Sequence, residues 1–329
     1  MSGFEIEVVE PGLQTTVQDY PGRLRLQAKG FFPAGPMDDL AHRAANLLVG
    51  NPASAAGLEI VLGGARFRFS GACAAAVCGA DGASLTLNGE PALLWESFAI
   101  APGDELRLGM AKGPGFRLYL AVSGGIDVPV VLGSRATYTM GGLGGLEGRA
   151  LKRGDRLPVG EGVGGTPGRR LRAAARPVYA REWSIEAMRG PQADPDYLTE
   201  AGAADFMSRT WKVNHNSNRV GIRLEGDRWE WARSGGGVAG GHPSNILDDS
   251  YPLGGVNLNG DVPVILGPDG PTSGGFVVAV TVVRGALWKL GQMRPGSDTI
   301  RFREVTFDEA AALAAELDVQ VSEDGVEGM

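Results

Sequence analysis

Glycine and proline constrain this chain more than any other feature: 52 glycines and 20 prolines stand in 329 residues, more than a fifth of the total. Ordinary globular proteins carry about 12% of the two together. Glycine weakens a helix interior through backbone entropy, and proline removes a donor and clashes with the preceding turn. A helical bundle is therefore excluded in favour of many strands and tight reversals. No Gly-X-Y period runs through the chain, so the surplus is not collagen-like. With 43% hydrophobic residues, a proper core is available and disorder is excluded. The length suits one large or two modest domains.

Periodicity agrees with a strand-built fold. Residues 4–9 begin a strand that Pro11-Gly12 stops. Gly64-Ala65-Arg66-Phe67-Arg68-Phe69, Ser84-Leu85-Thr86-Leu87 and Glu105-Leu106-Arg107-Leu108 alternate with period two, the mark of half-buried strands. Turn phrases at Asn88-Gly89, Pro102-Gly103-Asp104 and Gly113-Pro114-Gly115 recur about every dozen residues, the rhythm of a barrel or sandwich. Two segments read as helices. Residues 37–49 carry an apolar stripe of Leu40, Ala44, Leu47 and Leu48 behind a cap at Asp38 or Asp39. Residues 308–317 are rich in Ala and Glu behind a cap at Asp308. Residues 160–176 read as an exposed, glycine-rich then basic linker. These features predict an N-terminal β subdomain over 1–175, a C-terminal one over 176–307, and a short helix with an acidic tail over 308–329 whose end frays.

Charge and composition narrow the function classes. A net charge of −7, with no long Lys/Arg run, argues against nucleic-acid binding. The start of the chain lacks a basic then apolar leader, and no 18-residue apolar run occurs, so no membrane role and a cytoplasmic location are expected. Cys73 and Cys78 are the two cysteines and read as small buried residues on or beside a strand. The three histidines, His42, His215 and His242, show no metal-ligand spacing, so no metal is predicted. His42, within the first helix, reads as solvated or capped. No lysine follows a methionine, so the chain is not itself a biotin carrier.

Two polar clusters can carry chemistry. Trp211-Lys212-Val213-Asn214-His215-Asn216-Ser217-Asn218-Arg219 is either a hydrogen-bonded turn or a substrate-facing loop. Residues 235–245 place His242, Ser244 and Asn245 behind a glycine-rich loop. The Asn245 carboxamide can donate and accept at once, the complement of a small planar amide. The competing reading is a hairpin tip whose Ser and Asn close Asx-type turns. Two further glycine-rich segments, residues 140–148 and 270–276, lack the Lys-Ser/Thr ending of a phosphate loop.

Several phrases, in order, resemble one family. They are Val9-Glu10-Pro11-Gly12-Leu13-Gln14-Thr15-Thr16-Val17-Gln18-Asp19-Tyr20-Pro21-Gly22-Arg23, Gly35-Pro36-Met37-Asp38, Ser123-Gly124-Gly125-Ile126-Asp127-Val128-Pro129 and Gly144-Gly145-Leu146-Glu147-Gly148-Arg149. The chain resembles the allophanate hydrolase subunit 2 family, one half of a biotin-dependent carboxyltransferase. The later phrases Gly241-His242-Pro243-Ser244-Asn245, Asn259-Gly260-Asp261-Val262-Pro263 and Leu287-Trp288-Lys289-Leu290-Gly291-Gln292 are similar to the carboxyltransferase region of urea carboxylase (urea amidolyase) rather than to the KipA-like branch that includes component C of 5-oxoprolinase. One departure stands out. Urea carboxylases usually continue Ser-Asn-Val-His-Asp, where this chain has Ser244-Asn245-Ile246-Leu247-Asp248.

The resemblance implies a mainly β fold of two cyclophilin-like β-barrel subdomains with few short helices. It implies transfer of a carboxyl group from carboxybiotin, supplied by a separate carrier, to the nitrogen of urea or a related amide or guanidino compound. ATP would be used by a partner. The implied partners are a subunit-1 chain (KipI-like, or similar to component B of 5-oxoprolinase), a biotin carboxylase and a biotin carrier. The asparagine matching Asn245 is implied to contact substrate. From residue chemistry, His242 and Asp248 are candidate proton-handling groups, and Ser244, Asn218 and Arg219 candidate substrate-positioning groups. The alternatives are component C of an ATP-dependent 5-oxoprolinase and a KipA-like non-catalytic binding module.

Overall fold

The computed structural model describes residues 4–161, 165 and 167–328. The chain divides into two compact units, Met1–Leu24 with Pro33–Tyr179 and Leu317–Met329, and Arg25–Phe32 with Ala180–Glu316.

The first unit holds β1 (Glu5–Pro11), β2 (Thr15–Gln18), α1 (Asp39–Leu48), β3 (Gly57–Val61), β4 (Ala65–Phe69), β5 (Cys73–Gly79), β6 (Leu85–Leu87), β7 (Glu90–Ala92), β8 (Ser97–Ile100), β9 (Glu105–Leu108), β10 (Arg117–Val122), β11 (Arg156–Pro158) and β12 (Arg169–Leu171). A six-stranded sheet runs β11-β1-β4-β9-β6-β7 and a five-stranded one β2-β3-β10-β5-β8. Their facing sides share one core, with Ile6, Phe67, Phe69 and Leu106 from the first sheet and Leu58, Ile60, Val77 and Leu118 from the second. The alternation in β4 explains the placement. Phe67 and Phe69 point inward, each buried ring contributing about 1.5–3 kcal/mol, while Arg66 points outward to Glu10 at 3.0 Å and Glu105 at 3.1 Å.

Helix α1 begins where expected. The Asp38 carboxylate accepts from the Ala41 N–H at 2.9 Å, and the chain leaves the helix through Gly50 at φ 76°. Of the two readings of His42, solvated or capped, the structure excludes the solvated one. His42 is 1% exposed, with Nε2 3.2 Å from the Ala55 carbonyl, and burial lowers its pKa to about 4. Cys73 and Cys78 lie on β5 as free thiols, and burial pushes Cys73 up to about 12.

The second unit holds β13 (Glu182–Arg189), α2 (Glu200–Ser208), β14 (Trp211–Val213), β15 (Gly221–Glu225), β16 (Asn245–Ser250), β17 (Gly255–Asn259), β18 (Val262–Leu266), β19 (Ser273–Phe276), β20 (Val278–Val282), α3 (Lys289–Gln292), β21 (Thr299–Glu304) and the start of α4 (Phe307–Gln320). Seven strands close a barrel in the order β13-β20-β17-β18-β15-β14-β21. Within it, β13 and β21 run parallel, and the other adjoining strands are antiparallel. Ile222, Leu224, Val256, Leu258 and Ile265 are buried, so the intervening positions on β15, β17 and β18 belong to the opposite face. Strands β16 and β19 form a separate two-stranded ribbon.

Helix α2 stands where the sequence pattern predicts none. Its cap is plain, Thr199 Oγ1 accepting from the Gly202 N–H at 2.9 Å, but Gly202 and a run of alanines dilute the apolar stripe. Tertiary packing supplies the stability instead: Phe206 lies 4.9 Å from Trp211 and 5.2 Å from Trp229 between ring centroids. Helix α4 is longer than expected and is capped by Thr306 and Glu309 rather than by Asp308. The Thr306 N–H donates to Glu309 Oε2 at 2.7 Å, and the Glu309 N–H returns to Thr306 Oγ1 at 3.3 Å.

The acidic tail does not fray. Strand β22 (Val326–Gly328) pairs antiparallel with β12, and Glu327 meets Arg170 at 2.7 Å. Pairing the acidic end with the basic stretch also gives part of the expected linker a regular structure; residues 162–164 and 166 of that stretch lie outside the described residues. The class is mainly β, with four α-helices among the described residues. One unit closes its strands into a barrel, and the other encloses its core between two sheets.

Candidate functional site

A cleft of about 720 Å³ lies on the second unit. One wall is the outward face of the barrel, where Arg223 of β15, Asn257 and Asn259 of β17 and Val264 of β18 alternate with core residues. The other wall comes from the ribbon, through Gly274, Gly275 and Phe276 of β19, with Tyr251 just beyond β16. Asn214 and Asn216 also line it. The Tyr251 hydroxyl accepts from the Phe276 N–H at 2.7 Å. Burial pushes its pKa up, with Asp248 and Asp249 adding to the rise, so the phenol stays protonated near neutral pH.

The ribbon is rooted at Asn245, which pairs with Phe276. Before it, residues 235–241 fold back on themselves. The Asn245 Nδ2 donates to the Gly240 carbonyl at 3.0 Å. Gly236 must be glycine for this closure, because a Cβ there would stand 2.3 Å from the Gly240 oxygen and 2.9 Å from the Asn245 Cβ. Arg233 ties the two ends of the loop: Nε donates to the Gly235 carbonyl at 2.9 Å and Nη2 to the Asn245 carbonyl at 3.2 Å. Its guanidinium rests 4.8 Å from the Tyr197 ring centroid, a cation–π brace.

His242, Ser244 and Asn245 come together as one polar chain. The Ser244 backbone N–H can only donate, and it meets His242 Nδ1 at 3.1 Å. The neutral ring therefore carries its proton on Nε2, which stands 3.4 Å from Asp261 Oδ1. Ser244 is fully buried, and its Oγ accepts from the Gly260 N–H at 3.1 Å. That hydroxyl has one proton to give, with His242 Nδ1 at 3.0 Å and Asn245 Oδ1 at 3.4 Å in reach. Asp261 is itself held by Arg228 Nε at 2.9 Å and Trp231 Nε1 at 3.4 Å, and Trp231 packs edge-on to the imidazole at 5.4 Å.

The remaining candidates fall elsewhere. Asp248 and Leu247 are exposed on β16, Leu247 at 75%. Arg219 is buried and forms a two-point ion pair with Asp269, at 2.8 and 2.9 Å. Asn218 closes an Asx turn, its Oδ1 accepting from the Val220 N–H at 2.8 Å. Among the described residues, no cluster of three or more His, Cys, Asp or Glu side chains could hold a metal ion. Sequence reasoning missed Asp261, Trp231, Arg233, Tyr251 and Asn257. Asp261 had a signal, since it belongs to the family-like Asn259-Gly260-Asp261 phrase; Asn257, inside an apolar strand, had none.

This strand-built chain matches a known class in sequence and in fold. Residues 29–304 match the carboxyltransferase domain, subdomains A and B, and the chain belongs to that family. It is 40% identical over 331 residues to urea amidolyase of Lachancea kluyveri, covering 97% of this chain and 18% of that protein. It is 34% identical to component C of the 5-oxoprolinase of Escherichia coli over 93% of both chains. The solved structure of Kluyveromyces lactis urea carboxylase matches with a TM-score of 0.92 at 38% identity, over 99% of this chain and 30% of that one. The chain thus spans less than a third of the length of the urea amidolyase and urea carboxylase relatives. No helix among the described residues is long and apolar enough to cross a membrane.

Proposed function

We propose that this chain is the subunit 2 half of a biotin-dependent carboxyltransferase, acting on the nitrogen of urea or a related amide or guanidino compound, with a subunit-1-like partner completing the site. The observation that carries this reading is the Asn245 carboxamide, fixed at the root of the ribbon opposite Phe276, which itself lines the amide-lined cleft. The urea amidolyase likeness over 97% of the chain supports it. Carboxybiotin, brought by a separate carrier after ATP-dependent carboxylation by a biotin carboxylase, supplies an activated carboxyl group when bound. The cleft's lining suits a ureido-bearing ring, since asparagine carboxamides stand there beside Val264, Pro271 and Phe276.

The chain's own contribution is orientation. Asn245 spends one donor on Gly240 and one acceptor site on Ser244, which leaves one of each for a planar amide. Holding a weak nitrogen nucleophile in one pose removes much of the entropic part of the barrier. The ring of His242, facing Asp261, takes the Ser244 backbone N–H on Nδ1, which leaves the Ser244 hydroxyl proton for Asn245. The exposed Asp248 carboxylate is the proton acceptor on the solvent side of the ribbon. Arg219 and Asn218 shape the turn that leads into β15 rather than touch substrate.

A second reading, component C of a 5-oxoprolinase acting with partners similar to its components A and B, is favoured by one observation: that Escherichia coli relative matches end to end rather than as a fragment. A KipA-like binding role without catalysis is the third. The test is reconstitution with the subunit-1-like partner, biotin carboxylase and biotinylated carrier. Urea-dependent ATP consumption is the expected result. Consumption that depends on 5-oxoproline and ignores the biotin carrier would establish the second reading, and none with either compound the third.

A further inference from the structure

Asn257 stands out on the barrel wall. It is 5% exposed, yet its Nδ2 is in hydrogen-bonding geometry with no protein acceptor. The nearby Tyr251 hydroxyl feels this amide as a donor, which works against the rise of its pKa, but it lies outside full hydrogen-bonding geometry and is already engaged by the Phe276 N–H at 2.7 Å and the Phe276 carbonyl at 3.2 Å. The cross-strand neighbours of Asn257 are Val264 and Val278, so an apolar side chain would suit the position for packing alone. A buried donor left unmatched opposes folding. The backbone is also irregular here: the register of β17 on β20 shifts between Val256 and Asn257, and the Val278 N–H turns to Gln192 Oε1 at 2.7 Å. Such bulges re-aim side chains beside sites.

We propose that Asn257 is a ligand-binding residue, its Nδ2 donating to the carbonyl oxygen of a ureido or carboxamide group seated in the cleft between the barrel wall and the β16–β19 ribbon. Asn259, two residues on and therefore on the same face, offers its carboxamide oxygen to the ligand's N–H. Val264, Pro271 and Phe276 give an apolar surface for a ring carrying that group. Gly274 keeps the opposite wall low, because a Cβ there would lie 2.8 Å from the Tyr251 ring. The identity of the ligand rests on the carboxyl-transfer reading; the recognition of a planar amide carbonyl does not.

Three sources share this chemistry: urea as acceptor, the ureido ring of biotin as donor carrier, and the lactam of 5-oxoproline. Calorimetry and ligand-observed NMR of the full chain with its subunit-1-like partner, using urea, biotin methyl ester and 5-oxoproline separately, distinguish them. At least one is expected to bind, and Asn257→Asp and Asn257→Leu are each expected to weaken it tenfold or more. The melting temperature of Asn257→Leu should equal or exceed that of the parent, since the unmatched donor is gone. Equal affinity in parent and variants, or no binding of any of the three, overturns the assignment. Binding lost in Asn257→Leu without urea-dependent ATP consumption in the parent would leave this site standing and remove the proposed function; full urea-dependent turnover with an unchanged KM in Asn257→Leu would do the reverse.

Discussion

His242 Nε2 faces Asp261 Oδ1 at 3.4 Å, while Nδ1 of the same ring takes the Ser244 N–H at 3.1 Å. The Ser244 N–H thus fixes the tautomer of the neutral ring, and the Asp261 carboxylate faces the protonated Nε2. Replacing Asp261 by Asn removes the charge, and the new amide can present a donor where an acceptor is needed. Asp261→Asn should lower kcat about tenfold, a modest share of the 10²–10⁴ that acid–base groups contribute. Steady-state kinetics of the reconstituted enzyme checks this.

The glycine loop makes a sharper prediction. Gly236→Ala puts a methyl group 2.3 Å from the Gly240 carbonyl, so the loop must open and release Asn245. Because residues 235–241 lie outside the barrel strands, the melting temperature should change little while kcat/KM falls by about tenfold or more. Arg233→Lys, which keeps the charge but loses the fork that spans Gly235 and Asn245, should raise KM more than it lowers kcat.

Arg219 and Asp269 test structure against substrate contact. Both are buried, and their two-point ion pair leaves an uncompensated charge if one is removed. Arg219→Met alone should cost about 3–5 kcal/mol in denaturant unfolding. Arg219→Met with Asp269→Leu should recover most of that loss. Full activity in the refolded double variant marks the pair as scaffold.

His42 makes stability depend on pH. Its pKa falls from 6.5 to about 4 on folding, because burial opposes the charged ring. The unfolded chain therefore binds more protons between these values, and stability declines as pH drops from 6.5 toward 4, then levels off. The loss is about 3 kcal/mol, at 1.36 kcal/mol per pKa unit. In urea titrations across that range, His42→Gln should flatten this part of the profile.

Much of the fold was legible in the sequence because its signals are local. Phe67 and Phe69 alternate with Arg66 and Arg68, and Asp38 caps the helix it precedes. What stayed hidden depends on distant partners. The pairing of Arg170 with Glu327 orders a tail that reads as loose, and Asp269, fifty residues on from Arg219, takes a guanidinium that reads as a substrate ligand. The site divides the same way. That His242, Ser244 and Asn245 come together follows from their nearness in sequence; Asp261 joins them only because β17 and β18 turn back beside the loop. Asn257 looks like one polar break in an apolar strand until the register shift and the cleft are seen.

The carboxyl-transfer reading turns on Asn245 orienting an amide nitrogen for carboxylation. The decisive experiment is urea-dependent ATP consumption by the chain reconstituted with its subunit-1-like partner, biotin carboxylase and biotinylated carrier, comparing the parent with Asn245→Ala. The parent should turn over with urea, and the variant should lose about a hundredfold or more in kcat/KM while still co-purifying with the partner. Unchanged turnover in Asn245→Ala, or ATP consumption indifferent to both urea and the biotin carrier, would contradict that role.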